Sequence, residues 1–574
     1  MDQQLEARPY TAWQLIKVYW QSKQRLFAYF MFAIVLAMSI FLVGMDVVFT
    51  TWYNYFYDAL QDYNRYAAFD LLVIFMFLAA VSIIVSVYRY YIQQYLALRW
   101  RRWLTEQFLD RWLAKRSYYY LENFDEHTDN PDQRIQEDVG SLVLSTLNLA
   151  IGLVSAITTI FAFIFVLWEL SGYLNVSLGK YGTLHIPGYL VWVGIIYSMI
   201  GTSLTFKIGR PLVSLNFEQQ RREANFRFAA IDLRSHAEHV ALYRGEENQK
   251  TILQKIFSGV LENWYAIILR QKLLLWFTAG YNQVSVILPL IVALPNYFNK
   301  VFKLGGLMQA LSAFSRIQDA FSFIVNSYTS IAEWQAVTRR LLTFLNHMDE
   351  IEKNAEKQNK FIFTENTEDK IFAKNVTINT PRGEKLLVNI NQELIHGQNY
   401  VVKGHSGLGK STFVRTLAGI WPYGSGEISL PEKKKSIMFL PQTSYMPLGS
   451  LREAILFPDK IHDIPDEFLI QLLQEFDLPQ LTGRLDEITR WPEHLSPGEL
   501  QRIAFIRVLI HQPFWVFLDE STAALDLAHE KQVYQLLKEK LPDCSVVSVG
   551  HHPSIDGYHD KEIDLEVYGV SHSD

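Results

Sequence analysis

Residues 26–44 contain no charged side chain, and the apolar run they form is long enough to cross a bilayer. A stretch of this kind folds as a membrane-spanning helix, so at least part of the chain belongs in lipid. Its continuation carries Asp46 and ends in Trp52-Tyr53-Asn54-Tyr55-Phe56-Tyr57, side chains that settle at a membrane surface. Five more apolar stretches follow, at 71–87, 142–168, 188–206, 273–294 and 305–332, the fifth span being broken near Pro289. The expectation is a six-span helical domain. Before the first span, residues 10–20 suit an amphipathic helix that rests on the membrane through Trp13, Val18 and Trp20.

Charge sets the orientation. The second span runs into Arg89, Arg99, Arg101, Arg102, Arg111, Lys115 and Arg116, and the fourth into Lys207, Arg210, Arg221 and Arg222. Clusters of this sign stay on the cytoplasmic side, which places both termini there. Residues 89–141 and 207–272 read as helices extended beyond the bilayer. Turns are expected at Thr128-Asp129-Asn130-Pro131-Asp132-Gln133-Arg134 and within 238–247, and a short connection holding Gly179-Lys180-Tyr181-Gly182 joins the third and fourth spans. Arg316 and Asp319 lie on one face of the sixth span, with Asn326 further along; such charges either line a pathway or pair with each other. Asp46 and Glu169 stand closer to span ends, where an interfacial position explains them.

After about residue 349 the composition becomes that of a soluble domain. Residues 349–368 read as a charged linker between a membrane domain, 1–348, and a second domain, 369–574. The net charge of −6 argues against a nucleic-acid partner, and a single cysteine, Cys544, excludes an intrachain disulfide framework. The N-terminus lacks the pattern of a cleaved signal peptide.

In the second domain a short β-rich run leads into Gly404-His405-Ser406-Gly407-Leu408-Gly409, and Lys410, Ser411 and Thr412 then open a helix. Strand, glycine-rich turn and helix in this order form a phosphate-binding loop. Its N–H groups face phosphate oxygens, Lys410 reaches the β and γ phosphates, and the Ser411 hydroxyl completes the shell of a Mg²⁺ ion. The strand 436–440 ends at Pro441-Gln442, placing Gln442 to meet the same ion. The buried run Trp515-Val516-Phe517-Leu518 delivers Asp519 and Glu520 to its carboxyl end, where α/β sheets bind ligands. Asp519 would hold the Mg²⁺ through water, and Glu520 would polarise the attacking water. Ser496 caps a helix with Glu499 three residues on, and His551 follows a last strand, 545–549.

Taken together these motifs resemble the ATP-binding cassette (ABC) transporters over essentially the whole chain. Residues 404–412 look like Walker A, Gln442 like the Q-loop, 496–501 like the signature motif, 516–520 like Walker B, 521–526 like the D-loop and His551 like the switch histidine. The resemblance implies an α-helical exporter-like membrane domain fused to an α/β P-loop NTPase, ATP and Mg²⁺ as cofactors, and hydrolysis coupled to transport. It also implies a homodimer, since Ser496, Gly498 and Glu499 of the signature would complete the ATP site of the other cassette. The membrane half, through Tyr57-Asp58-Ala59-Leu60-Gln61, Leu98-Arg99-Trp100-Arg101-Arg102-Trp103-Leu104-Thr105 and Asp129-Asn130-Pro131-Asp132-Gln133-Arg134, is similar to SbmA/BacA-type bacterial peptide importers and, more distantly, to the D subfamily. That implies uptake of peptides or cobalamin-like solutes across a bacterial inner membrane, with export of lipid-like or acyl substrates, or an ATP-gated channel, as alternatives. Pro497 and Glu499 depart from the usual signature, and no aromatic stands by Asn379-Thr380-Pro381 to stack adenine; Phe372 is nearby.

Overall fold

The structure, a computed structural model, describes residues 11–124, 131–171, 173–177, 183–432, 437–458, 464–550 and 553–570. It divides into a helical unit up to Met348 and a second unit made of Asp349–Asp574 with Glu122–Phe124.

In the helical unit α1 (Ala12–Gln21) starts at Thr11, whose side chain forms a capping box with Gln14. It is anchored by Tyr19, fully buried and stacked on Trp100 at 5.3 Å, while Trp13 stays exposed. Five long helices follow: α2 (Arg25–Gln61), α3 (Arg65–Leu113), α4 (Val139–Ser171), α5 (Tyr189–Ser235) and α6 (Glu246–Phe298). With 53 residues, α6 is about 80 Å long, well beyond the thickness of a bilayer. A hairpin of β1 (Tyr173–Ser177) and β2 (Thr183–Pro187) joins α4 to α5; residues 178–182 of the expected connection lie outside the described residues. Between α5 and α6 the chain turns at His236 and again at Arg244, which adopts φ +54°, within the segment expected to turn.

Three expectations are corrected. Five helices, not six, are long and apolar enough to cross a membrane among the described residues. The stretch read as the sixth span is split at Ser327 into α7 (Leu304–Asn326) and α8 (Tyr328–Gln358), and Gln309, Arg316, Gln318 and Asp319 make α7 too polar to qualify. The helix is not broken at Pro289: α6 continues through Pro289 and Pro295, because packed neighbours can serve the freed backbone groups. The Tyr189 hydroxyl donates to the Val292 carbonyl between the two prolines at 3.1 Å. Finally, the segment read as a linker consists of the end of α8 and a strand, β3 (Asn359–Asn366).

Ala310, Ala313, Phe314 and Ile317 give α7 a buried stripe at helical spacing, packed on Phe163, Leu167 and Tyr189. On the other side of α7, Ser315, Arg316 and Asp319 are exposed. Arg316 does not pair with Asp319; its Nη2 lies 2.8 Å from Asp46 of α2. Asp46 thus has its partner on another helix. A second node ties Arg134 and Arg340 to the buried Asp138, at 3.1 and 2.5 Å.

The second unit continues with β4 (Ile371–Asn379), β5 (Lys385–Leu394), β6 (Tyr400–Lys403), α9 (Lys410–Leu417), β7 (Gly424–Pro431), β8 (Ile437–Leu440), α10 (Pro497–His511), β9 (Trp515–Asp519), α11 (Leu527–Lys540), β10 (Ser545–Val549) and β11 (Lys561–Asp564). One sheet is all parallel in the order β11-β6-β10-β9-β8, and a mixed sheet has the order β3-β7-β4-β5. Near-continuous apolar runs such as Trp515-Val516-Phe517-Leu518 are buried on both faces, as a central parallel strand requires. In this unit the Phe124 ring stands edge-on to Trp421 and Tyr423, 5.4 and 5.0 Å away.

Candidate functional site

Sheet register brings the site together. Asp519 is level with Val549, and Val549 with Val402, so β6, β9 and β10 end at one edge. The chain leaves β6 there into the loop 404–409, and leaves β9 into Glu520. The loop needs its glycines: Gly409 has φ +105°, and a Cβ on it would lie 2.5 Å from Leu386. Gly404 has φ +146°, and a Cβ there would meet the Leu408 side chain. Leu408 itself is a core residue, so its contribution to phosphate binding is restricted to the backbone. The His405 N–H already has an acceptor, Glu566 Oε1 at 3.1 Å, while Ser406 is exposed.

Lys410, 5% exposed, donates from Nζ to the carbonyls of Gly404 and His405 at 2.8 and 3.1 Å. Burial pulls its pKa below the ordinary lysine value, against the opposing pull of Glu520, Asp519 and Glu566. Ser411 Oγ donates to Asp519 Oδ1 at 2.7 Å. Burial raises the pKa of Asp519, and the Ser411 bond only partly offsets this. A buried carboxylate in that condition, beside a hydroxyl, is the hard-oxygen arrangement that suits Mg²⁺, so the residues fit the ion. Gln442 Nε2 donates to Glu520 Oε2 at 2.8 Å, which places the Q-loop side chain on the second carboxylate. Glu520 adopts φ +51°, rare for a residue with a side chain, and its N–H is bonded to the Val549 carbonyl at 3.0 Å. Thr412 lies in the first turn of α9, its carbonyl accepting from Thr416 Oγ1 at 2.8 Å.

Ser496 and Gly498 are not joined to this cluster. Ser496 caps α10: its Oγ accepts from the Glu499 N–H at 3.3 Å and donates to Glu499 Oε2 at 2.8 Å, and the same carboxylate oxygen accepts from the Ser496 N–H at 2.8 Å. Burial alone would raise the Glu499 pKa, but the bonds from Ser496 and Gln480 outweigh it and hold the carboxyl below its usual range. Pro497 takes the first position of α10, where a missing N–H costs nothing. Gly498 passes close to the Ala524 carbonyl, which would lie 2.9 Å from a Cβ. Among the described residues neither Ser496 nor Gly498 has a hydrogen bond to residues 404–412. His551 lies outside the described residues.

Two participants were not assigned roles from sequence. Gln501, buried on α10, accepts from the Ala524 N–H at 3.0 Å and donates to the Gln442 carbonyl at 3.4 Å, so it connects the signature helix, the D-loop and the Q-loop. Its place in the signature motif was the available signal. Glu566 comes from the far end of the chain, and nothing in its local sequence announces the contact with His405.

Residues 15–298 match the family "ABC transporter transmembrane region 2" and residues 387–523 the family "ABC transporter". An uncharacterized ABC transporter ATP-binding protein of Haemophilus influenzae is 34% identical over 97% of this chain and 92% of its own length. The chain belongs to the ABC transporter family. It combines the helical membrane region and the ATPase domain of such proteins in one polypeptide. The inner membrane ABC transporter ATP-binding protein YddA of Escherichia coli is 33% identical over 94% of each chain. The mouse lysosomal cobalamin transporter ABCD4 is 25% identical over 81% of this chain and 79% of its own. ABC membership implies ATP binding, ATPase activity and membrane transport, the uses to which the cluster around Lys410, Asp519 and Glu520 is suited.

Proposed function

We propose that the chain acts as a homodimer that couples ATP hydrolysis to uptake of peptides or other bulky hydrophilic or amphipathic solutes, cobalamin-like molecules among them, across a bacterial inner membrane. The observation that carries the ATPase part is the pair Asp519 and Glu520 at one sheet edge, each bonded to a residue from another motif, Ser411 and Gln442. Lys410 exchanges its two carbonyl acceptors for phosphate oxygens. Ser411, Asp519 and Gln442 would hold Mg²⁺, which when bound would neutralise phosphate charge. Glu520 orients a water and accepts its proton, with Gln442 fixing the carboxylate and His551 completing the site. Residues 404–409 wrap the phosphates with their backbone, and Thr412 stands at the opening of the helix behind them.

Dimerisation is supported by the isolation of Ser496 and Gly498 from the loop of their own chain. Cysteines placed at Ser406 and Ser496, in a chain with Cys544 replaced, should form an intermolecular disulfide in the presence of ATP, because bridging needs Cα atoms within about 7 Å. Cross-linking confined to one chain would refute the two-chain site. Uptake is supported by the resemblance of residues 57–61, 98–105 and 129–134 to SbmA/BacA-type importers, a cobalamin-like solute by the name of the mouse relative, and cytoplasmic termini by the arginines that follow α3's apolar part. Purified protein in proteoliposomes, with ATP on the side of the cassettes, tests transport directly. Uphill movement toward that side is expected; movement away from it, or downhill flux alone, would overturn the proposal.

A further inference from the structure

Between α3, α4 and α7 the helical unit has an open cavity of about 390 Å³ that is lined by Arg89 and Gln93 of α3, Asn148 and Ser155 of α4, and Asp319 of α7. Charges in a membrane unit normally find partners or serve a pathway. Neither Arg89 nor Asp319 has an ion pair among the described residues, although Asp319 lies within the field of Arg316. Arg89 Nε is buried without a hydrogen-bond partner among the described residues. Asp319 forms no ion pair among them, since Arg316, one turn back, is committed to Asp46. Nor do Arg89 and Asp319 pair with each other, although both line the same space.

Next to them, Gln93 Nε2 donates to Asn148 Oδ1 at 2.6 Å. That bond uses one donor and one acceptor, leaving the Gln93 carbonyl and the Asn148 NH₂ group able to bond further. Reversing both amides would still leave one of each, so the pair can answer a peptide group, whose C=O and N–H need a donor and an acceptor. A lining with a separated cation and anion is unsuited to an acyl chain, which would leave both charges unmet. The volume falls in the range of small-molecule sites, roughly 300–1,000 Å³.

We infer that this cavity is a subsite for a zwitterionic peptide, with the solute carboxylate on Arg89, its ammonium on Asp319 and its amide on the Gln93–Asn148 pair. The inference rests on the transporter reading above and gives it a substrate chemistry. It assigns the cavity to a short peptide or to one end of a longer one.

The test uses the full chain in lipid nanodiscs and tritiated trialanine as the probe, with N-acetylated and C-amidated trialanine as competitors. Wild type should prefer the free peptide to either capped form by about tenfold or more, as expected for a hydrogen bond to a charged group. Asp319→Asn should abolish discrimination against the N-acetyl form and keep discrimination against the amide; Arg89→Gln should do the reverse. Equal competition by free and capped peptides in wild type overturns the subsite, and this comparison stands even if a variant fails to fold. Unchanged discrimination in a well-folded variant overturns it as well. ATP-driven accumulation of the same peptide in proteoliposomes separates the two levels. Accumulation without terminal discrimination sinks the subsite alone, whereas no accumulation of any peptide sinks the peptide-transport reading together with it.

Discussion

In the ATPase unit the acidic side chains of the site stand where a strand ends, and sheet register fixes what they meet: Ser411 for Asp519, Gln442 for Glu520. In the helical unit two acids within helices meet cations far away in sequence, Asp46 with Arg316 and Asp138 with Arg340. The first kind of contact follows from local pattern plus a parallel sheet. The second depends on which helices pack together, and on which way each is rotated. Residues that share a helical face, such as Arg316 and Asp319, can each have other commitments.

The largest expected effect lies on the side fixed by register. Glu520→Gln preserves shape but removes the proton acceptor, so steady-state ATP turnover should fall by about a hundredfold or more while ATP binding is kept. Unchanged turnover would remove Glu520 from the mechanism. An intermediate effect belongs to the helical unit. Asp138→Ala deprives two arginines of a buried acceptor and should cost about 3 kcal/mol of stability, the low end of what breaking a buried pair costs, because Arg340 is partly exposed. Thermal unfolding followed by tryptophan fluorescence measures it; a Tm equal to wild type would show that this node is not structural. The smallest effect concerns Glu499. Glu499→Gln keeps the cap geometry, so its cost should be under about 1 kcal/mol. Since the folded pKa of Glu499 is lowered, the charged form's contribution is present above the ordinary carboxylate range and is lost as pH falls through the folded value. The Tm gap between wild type and variant should therefore narrow as pH is lowered below about 4. A gap that widens in acid would contradict this sign.

The same contrast explains what could be read in advance. The loop from Gly404 to Thr412, the strand that presents Asp519 and the cap at Ser496 are local patterns with fixed spacing, and the elements appear where those patterns put them. The apolar runs also located the long helices. The number of spans was less legible, because α7 compensates a buried stripe of small and apolar residues with a polar opposite face, and average composition cannot separate the two. Helix through Pro289 was missed because a proline's effect depends on neighbours that the local sequence does not name. Glu566 and Gln501 were missed as partners for related reasons: one comes from a distant part of the chain, and the other acts through both ends of a single side-chain amide.

The left-handed backbone of Glu520 has an evolutionary side. A residue with a side chain at that φ carries a cost on the order of 1–2 kcal/mol that glycine does not, and asparagine bears it more easily. Selection for folding alone would thus remove the carboxylate, and only selection for turnover retains it. In a duplicated copy of this gene that no longer needs to hydrolyse ATP, position 520 should be among the first of the site to drift, and the drift should run toward glycine or asparagine.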